Sequence, residues 1–309
     1  MFYPQLDAFQ GSSGTIRIIG HRGARGLFPE NSMVGFENVL RSGINLIELD
    51  IVFSKDKIPI ITHDYAVSSS FSRHVGGKFI QKNIEISSLT AEQVKNYEIG
   101  KLNLDTDYGK RFPEQIQLDG VYMPTLQELY DKIQQPDFEQ ARLMVEIKPN
   151  LYTIHDDRKN ITRLLVKQIR DANLTQKVIL HSFDWLLLEE CKNQAPEIIT
   201  SFLSKKVQHK KANTNQSVTF YMHGNTEKTE SIPEKIRDLG GSIWCPYFKD
   251  ITRDRLLIAR ENNLLVAVWT VNEPSDIDKM IKLGVDAIMT DYPPRVKSAL
   301  ISRGMGWQN

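Results

Sequence analysis

Residues 15–53 read TIRIIGHRGARGLFPENSMVGFENVLRSGINLIELDIVF and contain one complete β-α-β unit. Thr15–Ile19 is short, apolar and β-branched, which is a strand signal. Ser32–Arg41 shows helical periodicity, with Ser32 placed to cap its N-terminus and Gly43 to stop it. Asn45–Phe53 is the second strand. Outward from this unit the alternation recurs. Arg142–Ile147, Lys177–Leu180, Ile198–Leu203, Gly241–Trp244, Leu264–Trp269 and Asp286–Met289 read as six more strands. Helical stretches near 159–171, 184–193, 230–238, 252–262, 275–283 and 292–302 separate or follow them. Eight strands with intervening helices predict an α/β fold, a TIM-like (β/α)8 barrel, with an open doubly wound sheet as the runner-up.

Two stretches interrupt the rhythm. The first, about 65–124, is polar and rich in turn residues, with one helical piece around Thr90–Tyr97; Leu126–Ile133 is the helix after it. The second, about 205–229, is polar and poorly periodic. Runs of this length usually serve as lids, binding loops or linkers. The expected organisation is one barrel domain over 1–309 with a subdomain inserted at 65–124.

Composition narrows the function. The chain has 309 residues, 40% hydrophobic and 25% charged, with a formal net charge of +1. That balance gives no global argument for nucleic acid, so phosphate recognition must be local. The two cysteines, Cys191 and Cys245, lack metal-type spacing and leave one disulfide between them open. Met1–Gln10 carries Pro4 and Asp7 and does not read as a signal peptide. No apolar run approaches the ~20 residues of a membrane span. The expectation is a cytoplasmic protein without stable membrane insertion.

In a (β/α) barrel the chemistry sits at the C-terminal ends of the strands. Here those ends carry His21-Arg22-Gly23, Glu48 and Asp50, Glu146-Ile147-Lys148, His181-Ser182-Phe183, Trp269-Thr270-Val271-Asn272 and Thr290-Asp291. Glu48 and Asp50, two apart on a strand, point to the same face. Two such carboxylates repel unless a cation or protons lie between them. Glu146 can complete an all-oxygen site of the kind Ca²⁺ or Mg²⁺ prefers. Rim carboxylates paired with Arg or Lys are the alternative for any one of them alone.

His63 ends the segment Ile58–His63, which follows the second strand after a turn at Lys55-Asp56-Lys57. A hairpin centred on Asp56 and Lys57 would pair Phe53 with Ile60 and set Asp50 opposite His63. His21 and His63 would then form an acid/base pair beside the carboxylates. Arg22 and Lys148 bring positive charge for a phosphate, or else serve as counter-ions to the carboxylates. Phe183 and Trp269 can wall an alcohol moiety or simply pack in the barrel.

These residues closely resemble the glycerophosphodiester phosphodiesterase family. The resemblance rests on His21-Arg22-Gly23, Pro29-Glu30-Asn31-Ser32, Glu48-Leu49-Asp50 and His63-Asp64. Glu146-Ile147-Lys148, His181-Ser182-Phe183, Trp269–Asn272 and Thr290-Asp291-Tyr292-Pro293 follow in the family's order. Ser32 stands where the family usually has Thr. The match spans roughly residues 16–300. It implies a TIM barrel that hydrolyses glycerophosphodiesters, small molecules such as glycerophosphocholine, to an alcohol and sn-glycerol 3-phosphate. It implies Glu48, Asp50 and Glu146 as ligands of Ca²⁺ or Mg²⁺, His21 and His63 as general acid and base, and Arg22 and Lys148 on the phosphate. A lysophospholipase D and a phospholipase C-like lyase are the nearest alternatives. Neither long stretch shows an amphipathic helix suited to a lipid. A non-catalytic binding module would have lost a carboxylate or a histidine, and all five residues are present.

Overall fold

The computed structural model of the chain describes residues 15–148, 155–210, 217–221 and 232–307. The strands are β1 (Arg17–His21), β2 (Leu46–Phe53), β3 (Pro59–Ile61), β4 (Ala66–Val67), β5 (Arg73–His74), β6 (Ile84–Glu85), β7 (Tyr97–Glu98) and β8 (Arg142–Ile147). They continue with β9 (Val178–Ser182), β10 (Ile199–Ser204), β11 (Lys206–Lys210), β12 (Ser217–Tyr221), β13 (Ile243–Pro246), β14 (Leu265–Val268) and β15 (Ala287–Thr290). The main sheet runs β1-β15-β14-β13-β10-β9-β8-β2-β3, and β1 also pairs with β2. That order closes eight parallel strands into a TIM-type (β/α)8 barrel, with β3 as an antiparallel addition. The first strand lies two residues later than Thr15–Ile19, so His21 is itself a strand residue.

The chain divides into two compact units. One comprises residues within Ile19–Tyr152 and Thr290–Arg295, the other residues within Met1–Ile18, Thr153–Met289 and Val296–Gln308. In the first, β2 is buried along nearly all its length, as expected of a parallel strand covered on both faces. Helix α1 (Met33–Arg41) starts where Ser32 Oγ accepts from Gly35 N–H at 3.2 Å and buries Phe36, Val39 and Leu40, an i, i+3, i+4 stripe. Gly43, at φ 81°, takes the left-handed turn that ends it.

The β2–β3 hairpin differs from expectation by one residue. Phe53 pairs with Pro59 and Ile51 with Ile61, so Asp50 lies opposite Thr62, whose N–H donates to the Asp50 carbonyl at 3.0 Å. The cause is a three-residue loop, Lys55-Asp56-Lys57. Lys57 adopts φ 63°, and Ser54 hydrogen-bonds Asp56 and Ile58 across the loop.

Residues 65–124 are folded rather than extended loop. Two short antiparallel pairs, β4 with β6 and β5 with β7, join helices α2 (Ala91–Val94) and α3 (Asp107–Arg111). Thr90 and Gln93 form a capping box on α2. Val67, Phe71, Ile80, Ile86, Val94, Ile99, Leu102, Phe112 and Met123 share one core with Val52 and Ile60 of the hairpin. Burial of this core anchors the 65–124 stretch to β2 and β3. Ile86→Ala is therefore expected to cost about 2–5 kcal/mol, read by chemical denaturation; a loss under about 1 kcal/mol would mean this core contributes little.

In the second unit, β9, β10, β13, β14 and β15 run parallel in that spatial order. The polar stretch near 205–229 is not structureless throughout: Lys206–Lys210 and Ser217–Tyr221 pair antiparallel, while 211–216 and 222–231 lie outside the described residues. Cys191 and Cys245 are both buried and carry no disulfide, so the bridge left open by the sequence does not form. Burial pushes the Cys191 thiol up to about 12. No helix among the described residues is long and apolar enough to cross a membrane.

Candidate active site

Strand register assembles a polar cluster within the first unit. Parallel pairing of β1 with β2 sets His21 beside Glu48, and pairing of β2 with β8 sets Asp50 beside Glu146. Glu48 and Asp50 share a face of β2 by the two-residue period. The outcome is a trio, Glu48, Asp50 and Glu146, in which one carboxylate oxygen from each lies within 4.8 Å of the other two.

The trio is electrostatically incomplete. Burial pushes the Glu48 carboxyl well above the usual range, and the charges of Asp50 and Glu146 push it further. Burial acts on Asp50 the same way, but Lys148, Arg22 and His63 outweigh it and hold that carboxyl low. Asp50 Oδ1 is buried without a hydrogen-bond partner and faces Lys148 Nζ at 3.2 Å. Lys148 also grips Glu146 at 2.7 Å. Arg22 takes Glu30 at 3.1 Å and Asp50 at 3.2 Å, while its backbone N–H donates to Glu48 at 3.1 Å. Asn31 donates to Asp50 at 2.9 Å. Even so, Glu30, Glu48, Asp50, Asp64, Glu146 and Asp291 outnumber Arg22, Arg25 and Lys148. An all-oxygen donor set with an orphaned oxygen and a disfavoured charge fits a hard divalent cation such as Ca²⁺ or Mg²⁺.

The histidines flank this trio with a common arrangement. His21 Nδ1 lies 2.6 Å from Asp291 Oδ1, and His63 Nδ1 lies 2.8 Å from Asp64 Oδ1. Burial alone would raise the Asp291 carboxyl, but His21 and Arg25 hold it below the usual range; His63 does the same for Asp64. An ionised carboxylate only accepts, so Nδ1 carries the hydrogen in each ring. Nε2 is then the nitrogen left for proton transfer. In His21 it stands 3.8 Å from Glu48 Oε2, too far for a hydrogen bond. Burial, reinforced by Arg25 and Arg22 and opposed by Asp291, lowers His21 to about 4. His21 is therefore neutral near pH 7, with a lone pair on Nε2. His63 is partly exposed, its side chain at 37%.

The loop after β1 holds these groups in an unusual backbone. Arg22, Ala24 and Asn31 all have positive φ, 50°, 61° and 52°. Such strain persists only where the surroundings over-determine it. Gly26 allows the close approach: a Cβ there would sit 2.4 Å from the Tyr292 ring.

The polar residues expected at the site, His21, Arg22, Glu48, Asp50, His63, Glu146 and Lys148, thus come together. Phe183 and Trp269 belong to the second unit, where they meet edge to face at 5.5 Å, and Tyr247 joins Trp269 at 5.5 Å. His181 is buried and contacts Ser201 Oγ at 2.9 Å across β9 and β10. Sequence reasoning gave no role to Asp291, Glu30, Asn31 or Arg25. Three of these lie in the quoted motifs, so their position was readable but their partners were not.

Comparison with known proteins follows the same line. The family model described as the glycerophosphoryl diester phosphodiesterase family matches residues 21–295. A glycerophosphodiester phosphodiesterase of Caldanaerobacter subterraneus subsp. tengcongensis is 27% identical over 276 residues, 89% of this chain and 94% of that protein. A crystal structure of a candidate glycerophosphoryl diester phosphodiesterase from Silicibacter pomeroyi superposes with a TM-score of 0.90 at 34% identity, covering 99% of this chain and 100% of that one. A phosphodiesterase of Oleispira antarctica, solved in complex with the product sn-glycerol 3-phosphate, shares the fold at a TM-score of 0.66 and 20% identity, covering 93% of this chain and 97% of that one.

Proposed function

The chain belongs to the glycerophosphoryl diester phosphodiesterase family, and we propose that it hydrolyses small glycerophosphodiesters to an alcohol and sn-glycerol 3-phosphate with the help of a divalent cation. The observation that carries this reading is the under-compensated carboxylate trio with a histidine on either flank. A phosphodiester anion would be repelled by so much negative charge. Glu48, Asp50 and Glu146 would hold Ca²⁺ or Mg²⁺, which when bound would supply the charge compensation and Lewis acidity that a phosphodiester needs here.

The protein's own groups perform the rest. Arg22 and Lys148, which screen the carboxylates, supply the positive charge that holds the phosphate. His21 Nε2 takes the proton of the attacking oxygen as general base, and one water is consumed overall, whether it attacks the phosphorus directly or opens a cyclic phosphate. His63 gives a proton to the departing alcohol oxygen. Asp291 and Asp64 each fix the working tautomer and stabilise the charged ring. The product found on the Oleispira antarctica relative is the one this reaction releases.

A panel of glycerophosphodiesters assayed for sn-glycerol 3-phosphate tests the function. Release from glycerophosphocholine or glycerophosphoethanolamine is expected. A product that remains a cyclic phosphate by ³¹P NMR would make the protein a lyase instead. The subdomain at 65–124 begins directly after His63, and we assign it a part in choosing the alcohol. Replacing its centre by a short linker should change relative rates across the panel. Because its core is shared with Val52 and Ile60, relative rates are the readout, and unchanged ratios for every substrate would count against this role.

A further inference from the structure

Arg25, between Ala24 and Gly26, stands outside the groups assigned above to metal, phosphate or proton transfer, yet it joins the subdomain to His21. Its Nε donates to Asp291 Oδ1 at 2.9 Å and its Nη2 to Oδ2 at 3.3 Å. Asp291 Oδ1 is the same oxygen that meets His21 Nδ1 at 2.6 Å. On its other side the guanidinium lies 4.8 Å over the Phe112 ring. The Arg25 carbonyl accepts from Gln115 Nε2 at 2.7 Å, and the Leu27 carbonyl accepts from Ile116 N–H at 2.9 Å. Tyr108 hydrogen-bonds Glu30, which pairs with Arg22. Glu114 pairs with Arg295 at 2.5 Å. Residues 108–116 of the subdomain therefore brace the loop that follows β1 at several separate points.

We propose that Arg25 is a positioning residue for His21, and that the 65–124 subdomain acts on catalysis through it by seating the guanidinium on Phe112. The terminal torsion of an aspartate is broad and weakly restrained. A single hydrogen bond to His21 would leave the Asp291 carboxylate free to swing, and the imidazole with it. Arginine presents two parallel donors in a fixed fork, which pins both carboxylate oxygens at once. Phe112 backs the fork, and Gln115 holds the Arg25 backbone. The grip of Asp291 on His21 is thus set partly by residues some 90 positions along the chain, in a segment that otherwise reads as peripheral. Arg25 meets Glu30, the partner of Arg22, only at 3.8 Å, whereas it grips Asp291 through two donors, so its loss should weaken turnover far more than substrate binding.

The inference rests on the phosphodiesterase reading, and the test separates the two. Kinetics on the best substrate of the panel would be measured for Arg25→Gln, Arg25→Lys, Phe112→Leu, Asp291→Asn and the Arg25→Gln/Asp291→Asn double variant. Misplacement of a catalytic group by about 1 Å can cost about 10²-fold, so Arg25→Gln should lower kcat about 10- to 100-fold with KM within about twofold. Arg25→Lys keeps the charge but not the fork and should recover only part of that loss. Phe112→Leu should lose about 3- to 10-fold in kcat, in line with one cation–π seat. The double variant should be no slower than Asp291→Asn alone. Long-range ¹H–¹⁵N spectra of the histidines give a readout independent of turnover. The wild type should show His21 as a single Nδ1–H tautomer, and Arg25→Gln should show a mixture. Unchanged kcat with raised KM, multiplying losses in the double variant, or an unaltered tautomer would overturn the proposal. Should Arg25→Gln fail to fold, Arg25→Lys carries the same kinetic and spectral comparison. A wild type inactive on the whole panel would overturn the phosphodiesterase reading, while the tautomer comparison still decides the role of Arg25.

Discussion

Replacing His21 or His63 by alanine is expected to lower kcat by about 10² to 10⁴, the usual contribution of a general acid or base. KM should change far less, because Arg22, Lys148 and the cation are the groups assigned to the phosphate. The two losses should not multiply in the double variant if both rings act in one concerted step. The pH–rate profile should be bell-shaped, with each single variant losing one limb. The acid limb belongs to His21. Burial, helped by Arg25 and Arg22 and opposed by Asp291, lowers it to about 4. The ring is therefore an unprotonated base from neutral pH down to that value, and it loses its base function only as the pH falls through it. Near-normal kcat in His63→Ala would make His63 a structural residue and remove the acid from the scheme.

Glu48→Gln should abolish metal-dependent turnover without loosening the fold. The variant keeps an oxygen to accept the Arg22 N–H now bound to Oε2. It removes a carboxylate that burial, Asp50 and Glu146 make costly to ionise. A carboxyl whose folded value is raised contributes stability below its unfolded value and loses it as pH rises through the folded value. At neutral pH, without cation, the glutamine protein should thus be at least as stable as the wild type. The difference should appear on adding Ca²⁺ or Mg²⁺. A ligand at 100 times its Kd stabilises by about 2.7 kcal/mol, and that shift should be present in the wild type and missing in the variant. A metal-free variant clearly less stable than metal-free wild type would show that Glu48 serves the fold rather than a cation.

Much of this was legible in the sequence because barrel strands announce themselves twice, by apolar runs and by the polar residues at their ends. Arg142–Ile147 and Leu126–Ile133 coincide with the strand and helix observed. The trio was readable because a two-residue period fixes Glu48 and Asp50 on one face before any neighbour is known. The hairpin register was not. Lys57 takes a left-handed conformation that its residue type does not advertise, so a three-residue loop looked like a two-residue one. The pairs β4–β6 and β5–β7 are two residues long, too short for alternation to show. Asp291 was visible at a strand end, but its partner His21 lies 270 residues earlier. Arg25 lies in the Gly23–Gly26 stretch and reads as loop until Phe112 is seen beneath it. Local pattern names the residues; which ones touch depends on closure of the chain.

The most direct test is release of sn-glycerol 3-phosphate from glycerophosphocholine by enzyme first stripped with chelator, as Ca²⁺ or Mg²⁺ is titrated back. No release in chelator, then a rise that saturates with the wild type and is absent with Glu48→Gln, is the predicted result. Full release in the chelated sample would contradict it, and so would no release at any metal concentration.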